Sequence, residues 1–376
     1  MKTEKTIGVG IIGASEGSWA VRSHLPALKM LDKHFTVTAV STRNAETARK
    51  TADQFGIPGA FSNADDLINN PDVDLVVVAV KVSGHAELVE KVLAAGKMVY
   101  CEWPLGNGLK ESKKLRDDAN TRNVRTFCGL QSTSLPELRF LKAWLGEGNL
   151  GKVLATTVTG GGNNWGTMLP DESLGYLIDP ANGATMLHIP FAHLLDGLQY
   201  CIGGVSLCSA FLARTNSEVA ITGTNKIIPQ LTNDQSVANA ILADRVVAVI
   251  YFHGGEYGGE NLRWEIYGTK GKLTITSPTG HLQFGKLQMA VTFGSQKPET
   301  LSIPSEFDPE DGGIPGYEAE PSRGLYYAYR QIAEDICSRD VTYPNFAYAV
   351  KHHELIASIE QRALRPESLR ADISRS

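Results

Sequence analysis

The chain has 376 residues, of which 42% are hydrophobic and 20% charged, and its formal net charge is −5. That length exceeds what one hydrophobic core usually supports, so two domains are expected. The weak acidity without a clustered Lys/Arg tract speaks against a nucleic-acid partner, and no window approaches roughly 18 uninterrupted apolar residues, which speaks against a membrane span. Five cysteines, at 101, 128, 201, 208 and 337, are odd in number and form no C-x-x-C pair. They suit reduced thiols in a cytoplasmic protein better than a disulfide framework or a zinc site. The opening MKTEKTIGVGIIG lacks the length and cleavage site of a signal peptide.

Residues 6–12 (TIGVGII) read as a first strand, followed by glycines and a helix near 18–32. FTVTAVS at 35–41 is a second strand, and NAETARKTADQFG is a helix ended by Gly56. DLVVVAV at 74–80 is apolar on both faces, the pattern of a central parallel strand. HAELVEKVLAAGK is a helix closing at Gly96, KMVYCE the next strand, and VRTFCGL at 124–130 another after a helix near 109–121. This alternation predicts an α/β doubly wound parallel sheet over residues 1–130.

Beyond 131 the pattern changes. A helix near 135–146 precedes VLATTVTGGGNNW, whose alternation suits a half-buried strand. Strand-like runs follow at 205–214, 219–224, 244–253, 261–267, 272–277 and 287–293. Strands following strands predict an α+β domain over 131–376 with a large mixed or antiparallel sheet. Residues 294–322 read as a polar loop, and helices near 323–338 and 346–363 close the chain, positioned to pack back on the N-terminal domain.

The stretch G-V-G-I-I-G-A-S-E-G-S-W-A holds two glycine patterns. Gly8 and Gly10 fall inside the first strand, so the turn proper is Gly13, Ala14, Ser15, Glu16, Gly17, Ser18, Trp19. Gly13 can make the sharp exit and Gly17 can admit a pyrophosphate against the backbone, with helix amides facing the phosphates. A plain tight turn is the bland alternative; its place after the first strand of an alternating pattern favours a dinucleotide. Glu16 is an unfavourable neighbour for a pyrophosphate unless it points away. The second strand ends in Ser41-Thr42-Arg43 rather than an acid, which favours the 2′-phosphate of NADP over NAD. A solvated loop arginine is the competing reading.

These residues, with C-E-W-P at 101–104, L-G-K-V at 150–153, H-x-x-D at 193–196 and I-Y-G-T-K-G-K-L at 266–273, resemble the glucose–fructose oxidoreductase / inositol dehydrogenase (Gfo/Idh/MocA) family. The resemblance covers most of the chain. It implies a Rossmann domain, an α+β domain whose open sheet joins copies into a homo-oligomer (dimer or tetramer), and a nicotinamide cofactor used on sugars, inositols or related cyclic compounds. The family's Glu-Lys-Pro turn has Trp103 in place of lysine here, and Ile189 stands where an aspartate usually precedes the histidine. Trp103, N-G at 182–183 and F-x-H-x-x-D-x-L-Q-Y at 191–200 resemble the branch containing the yeast galactose-pathway repressor, which is thought to sense the dinucleotide without turning it over.

Hydride transfer from an alcohol needs a group that takes the hydroxyl proton, which favours His or a tuned Lys. His193 is the first candidate, with Asp196 three residues on and able to orient its ring; Pro190 favours a helix beginning nearby or a kinked one, and in the first case it sets His193 at the positive end of the helix. Packed helix residues are the bland reading of both. His188 is a weaker candidate, pointing elsewhere unless the helix is broken. Lys81, ending the strand at 74–80, could replace the missing lysine or be merely solvated. Val80, His85, Glu102, Trp103 and Gln131 complete the expected cofactor contacts, and Trp103 is equally explained as a packed indole. The Trp103–Pro104 bond is a candidate for cis. Asn163, Trp165, Tyr176 and Asp179 are expected on the substrate side. Two functions follow: an NADP- or NAD-dependent oxidoreductase on a small sugar-like or cyclic alcohol or ketone, or a non-catalytic dinucleotide-binding regulator.

Overall fold

Six short parallel strands organise the first part of the chain in the computed structural model, which describes residues 6–284, 287–309 and 321–365, apart from the side chains of Leu207 and Cys208. They are β1 (Ile7–Ile12), β2 (Phe35–Ser41), β3 (Gly59–Phe61), β4 (Leu75–Val78), β5 (Met98–Cys101) and β6 (Thr126–Cys128). Their order is β3-β2-β1-β4-β5-β6, so the strand order reverses beside β1, where this fold class binds ligands beyond the strand carboxyl ends. A widened helical turn at Ala20–His24 leads into α1 (Leu25–Met30). Then come α2 (Ala45–Phe55), α3 (Ala64–Ile68), α4 (His85–Ala94) and α5 (Leu109–Arg122). The ends of α2 follow from its sequence: the Asn44 side chain accepts from Glu46 N–H at 2.8 Å, and Gly56 closes the helix at φ 69°. Gly8 and Gly10 are packing positions within β1; a Cβ on Gly8 would lie 1.9 Å from the Asp72 carbonyl oxygen.

The chain divides into two units, Met1–Ser134 with Glu310–His353 and Leu135–Pro309 with Glu354–Ser376. The first unit therefore includes α8 (Ser322–Ser338) and the start of α9 (Phe346–Arg362). Leu325, Tyr326, Tyr329 and Ile332 of α8 share one buried cluster with Val9, Leu28, Phe35, Tyr100 and Phe127. The Asp335 carboxylate fixes the chain after α8, accepting from the amides of Thr342 (2.9 Å) and Tyr343 (2.8 Å).

The second unit is built on a nine-stranded mixed sheet. Its strands in chain order are β7 (Val153–Gly162), β9 (Val205–Ala213), β12 (Gln235–Leu242), β13 (Val247–Gly254), β14 (Leu262–Gly268), β15 (Gly271–Ser277), β16 (Gln288–Phe293), β17 (Glu299–Thr300) and β18 (Ala363–Leu364). The spatial order is β17-β16-β15-β14-β7-β13-β12-β9-β18, and β7 runs parallel to β13. Two helices, α6 (Pro136–Gly146) and α7 (Ala192–Ile202), belong to this unit.

One expectation needs correction, and one open alternative is decided. The run at 219–224 does not join the large sheet: β10 (Glu218–Ile221) pairs with β8 (Met168–Leu169) and β11 (Ile227–Pro229) in a separate three-stranded sheet, because its buried Val219 and Ile221 pack on Leu169 and Ile178. Of the two readings of Pro190, the irregular helix holds and the helix start does not. The chain is already helical at Met186, and the wide turn Leu187–Phe191, with Phe191 N–H bonded to the Met186 carbonyl at 3.1 Å, carries the proline straight into α7. Cys101, Cys128, Cys201 and Cys337 are thiols; the Cys208 side chain and positions 310–320 of the expected loop lie outside what is described. Among the described residues no helix is long and apolar enough to cross a membrane.

Candidate functional site

The turn after β1 has the form of an anion cradle. Gly13 sits at φ 100°, and a Cβ there would meet the Ala79 carbonyl oxygen at 2.3 Å, so only glycine fits. The Gly13 and Ala14 amides both donate to the Ser41 carbonyl (2.9 and 3.3 Å), and Thr51 Oγ1 donates to Ala14 O at 2.8 Å, which fastens the turn to the end of β2 and to α2. Gly17 sits at φ 71°, and a Cβ there would meet nothing within 4 Å. Among the described residues the amides of Ser15, Glu16 and Gly17 have no acceptor, while Ser18 N–H bonds Ser15 O at 3.0 Å. Uncommitted N–H groups ahead of a helical segment attract phosphate. Glu16 is engaged by Lys50 at 2.6 Å in an exposed pair, and Trp19 packs against the apolar cluster of this unit.

At the end of β2 the hydroxyl protons are committed: Ser41 Oγ donates to Asn63 O (2.9 Å) and Thr42 Oγ1 to Asn44 O (2.7 Å). Arg43 is exposed and has no ion-pair partner among the described residues. Beyond β4, Val80 is half-buried and Lys81 exposed. His85 is buried and held between two carbonyls: Nδ1 lies 2.8 Å from Pro104 O and Nε2 3.0 Å from Val80 O. Burial lowers its pKa, with the two carbonyls acting in the opposite sense.

Glu102, directly after β5, holds His24: its Oε1 lies 2.9 Å from His24 Nε2, while His24 Nδ1 lies 2.6 Å from the Tyr329 hydroxyl. The bond from Trp103 to Pro104 is cis. Trp103 is buried, with its ring centroid 4.3 Å from that of His353 and 5.0 Å from that of His352. Gln131, just past β6, is buried with its Oε1 lacking a partner among the described residues.

In the second unit, His193 and Asp196 are buried on one face of α7, one turn apart. Because the helical path starts at Met186, His193 is not in its first turn, and the positive helix end does not bear on its ring as expected. His188 Nδ1 lies 2.8 Å from Thr185 Oγ1, and Nε2 3.7 Å from Glu360; burial lowers its pKa and Glu360 opposes that. Trp165 is buried, its Nε1–H donating to Ala184 O at 3.2 Å. Asp179 is spent as a turn cap, accepting from Ala181 N–H at 2.9 Å. Asn163 is exposed and Tyr176 half-buried. His281 lies beside Trp165, ring centroids 6.0 Å apart, with both ring nitrogens lacking partners among the described residues. Among the described residues no cluster suits a metal.

The first unit, with strand order 3-2-1-4-5-6 and a glycine turn at the switch point, is a dinucleotide-binding domain by class. Residues 7–130 match the model of the oxidoreductase family with NAD-binding Rossmann fold, and residues 136–277 that of the Gal80p C-terminal domain. The chain is thus similar to this oxidoreductase family in its N-terminal part, and to the Gal80p C-terminal domain in the part that follows. It is 28% identical over 306 residues to dehydrogenase aclE of Aspergillus oryzae, covering 78% of this chain and 83% of that protein. It is 26% identical over 309 residues to the galactose/lactose metabolism regulatory protein GAL80 of Kluyveromyces lactis, covering 76% and 67%. Its fold is that of a super-repressor mutant of Gal80p from Saccharomyces cerevisiae (TM-score 0.83, 22% identity, 95% and 96% covered). It is equally that of levoglucosan dehydrogenase in complex with NADH and levoglucosan (TM-score 0.81, 20%, 96% and 97%).

Proposed function

We propose that the protein is a nicotinamide-dependent oxidoreductase acting on the CH–OH group, or the matching ketone, of a sugar-like or cyclic compound. The observation that supports this most is the Gly13–Gly17 turn, where the amides of Ser15, Glu16 and Gly17 have no acceptor among the described residues and a Cβ on Gly17 would meet nothing within 4 Å. A dinucleotide fits that cradle, and when bound it supplies the hydride acceptor. Ser15, Glu16 and Gly17 would hold the pyrophosphate through backbone N–H groups. Arg43 favours NADP, since it is the cationic side chain left uncommitted at the end of β2, where no acid stands to hold a 2′-hydroxyl. β5 lies on the other side of β1 from β2, so Glu102 serves the nicotinamide-side ribose. His193 takes or returns the proton of the reacting hydroxyl, and Asp196 orients its ring.

The regulator reading is favoured by one observation: the lysine that would handle the proton is replaced by a buried indole. A panel of sugars and cyclic alcohols with NADP+ and NAD+ separates the two. Reduced cofactor from the wild type, lost in His193→Ala with dinucleotide affinity kept, supports the enzyme. Tight cofactor binding with no turnover across the panel supports the regulator.

The outer face of the large sheet supports a homo-oligomer. Val247, Val249 and Tyr251 of β13 are exposed, flanked in register by Ile241 and Val237 of β12 and by Ala155, Thr157 and Thr159 of β7. The row is uncharged, with Asn239 opposite Val249, and pairs with a second copy of itself without repulsion.

A further inference from the structure

The chain buries one polar relay that neither the expected motifs nor the relatives' names account for. His24, on the wide turn before α1, is fully buried, edge-on to Tyr100 with ring centroids 5.4 Å apart. One proton arrangement satisfies all three groups: the Tyr329 hydroxyl donates to Nδ1, and the Nε2–H donates to Glu102 Oε1. A carboxylate next to tyrosine rings needs such a donor, because an unpaired charge in an apolar setting is strongly disfavoured. Glu102 keeps a small exposed fraction, 13% of its side chain, while its partner has none. One carboxylate oxygen is thus anchored in the core and the group is held at the carboxyl end of β5.

We propose that His24 is a positioning residue, set by Tyr329 of α8, that orients the Glu102 carboxylate to accept from the hydroxyls of the nicotinamide-side ribose. This rests on the dinucleotide reading above. The relay joins the helix leaving the phosphate turn, the strand end on the nicotinamide side and the last part of the first unit. A ligand recognised by its ribose hydroxyls on that side would therefore depend on residues that never touch it.

The test compares the whole dinucleotide with its adenine half. Wild type, His24→Leu, His24→Gln, Tyr329→Phe and Glu102→Gln are titrated calorimetrically with NADP+ and with 2′,5′-ADP, and the same series is run with NAD+ and ADP. His24→Leu is expected to weaken the dinucleotide about tenfold while leaving the adenine half within about twofold, the scale of one lost charge-assisted contact. His24→Gln, which keeps a donor and an acceptor, restores most of the affinity. Tyr329→Phe keeps the ring in the core and carries the test should His24→Leu not fold. In a Glu102→Gln background the His24 substitution adds nothing. Equal weakening of both ligands, no weakening of either, or an undiminished effect in the Glu102→Gln background overturns the proposal. Wild type binding the adenine half but not the dinucleotide overturns it too, leaving the cradle intact; binding neither removes the dinucleotide reading itself.

Discussion

His281 gives the sharpest quantitative expectation. Its ring is buried, stacked on Phe284 at 5.0 Å, and neither nitrogen has a partner among the described residues; burial lowers its pKa from 6.5 to about 4. Folding then refuses a proton that the unfolded chain takes up below pH 6.5. The contribution to stability is complete above pH 6.5 and is lost as the pH falls to about 4, at about 1.4 kcal/mol per pH unit, or about 3 kcal/mol over the window. His281→Phe keeps an aromatic ring for the stack and removes the titration. Urea unfolding, followed by indole emission at stepped pH, should show the wild type losing about 3 kcal/mol more than the variant between neutral and pH 4. The imidazole C–H resonance assigned by comparison with the variant should stay that of a neutral ring at pH 5. An imidazole titrating near its ordinary value, or parallel stability profiles for the two proteins, would refute the reasoning.

Gly13→Ala forces a Cβ to within 2.3 Å of the Ala79 carbonyl in a positive-φ backbone; a loss of about 2 kcal/mol of stability and at least tenfold in dinucleotide affinity is expected from calorimetry. Arg43→Ala should weaken NADP+ about tenfold and NAD+ within about twofold, read by fluorescence titration, and equal effects on both would remove Arg43 from 2′-phosphate recognition. Val249→Asp sets a charge in the middle of the exposed row on the large sheet and should shift a sedimenting oligomer to monomer while leaving the melting temperature nearly unchanged.

What the amino-acid order discloses here is what depends on neighbours in the chain. β1, β4 and β5 are short, mostly apolar runs, β2 is a run rich in β-branched residues, Thr36 and Thr38 among them, and α2 is bracketed by Asn44 and Gly56, so each is readable locally. β12 escapes because its inward residues are Ser236, Ala238, Ala240 and Leu242, mostly small, and its stability comes from pairing with β9 and β13 on both sides. The wide turn around Pro190 is hidden because a proline signals a helix start more often than a detour within one. His24 carries no local mark at all. Its partners stand 78 and 305 positions away, and only the fold brings them to it. The same holds for Trp103, whose meaning depends on two histidines near the end of the chain.

The return of α8 to the first unit has a consequence for biosynthesis. A ribosome delivers all six parallel strands long before Leu325, Tyr326 and Tyr329 emerge to cover Phe35 and Tyr100. Throughout translation of the intervening unit, the aromatic residues that α8 later covers have no lid. Completion of the parallel-sheet unit therefore waits until α8 has been made, and a chain stopped short of α8 is a sheet without its cover.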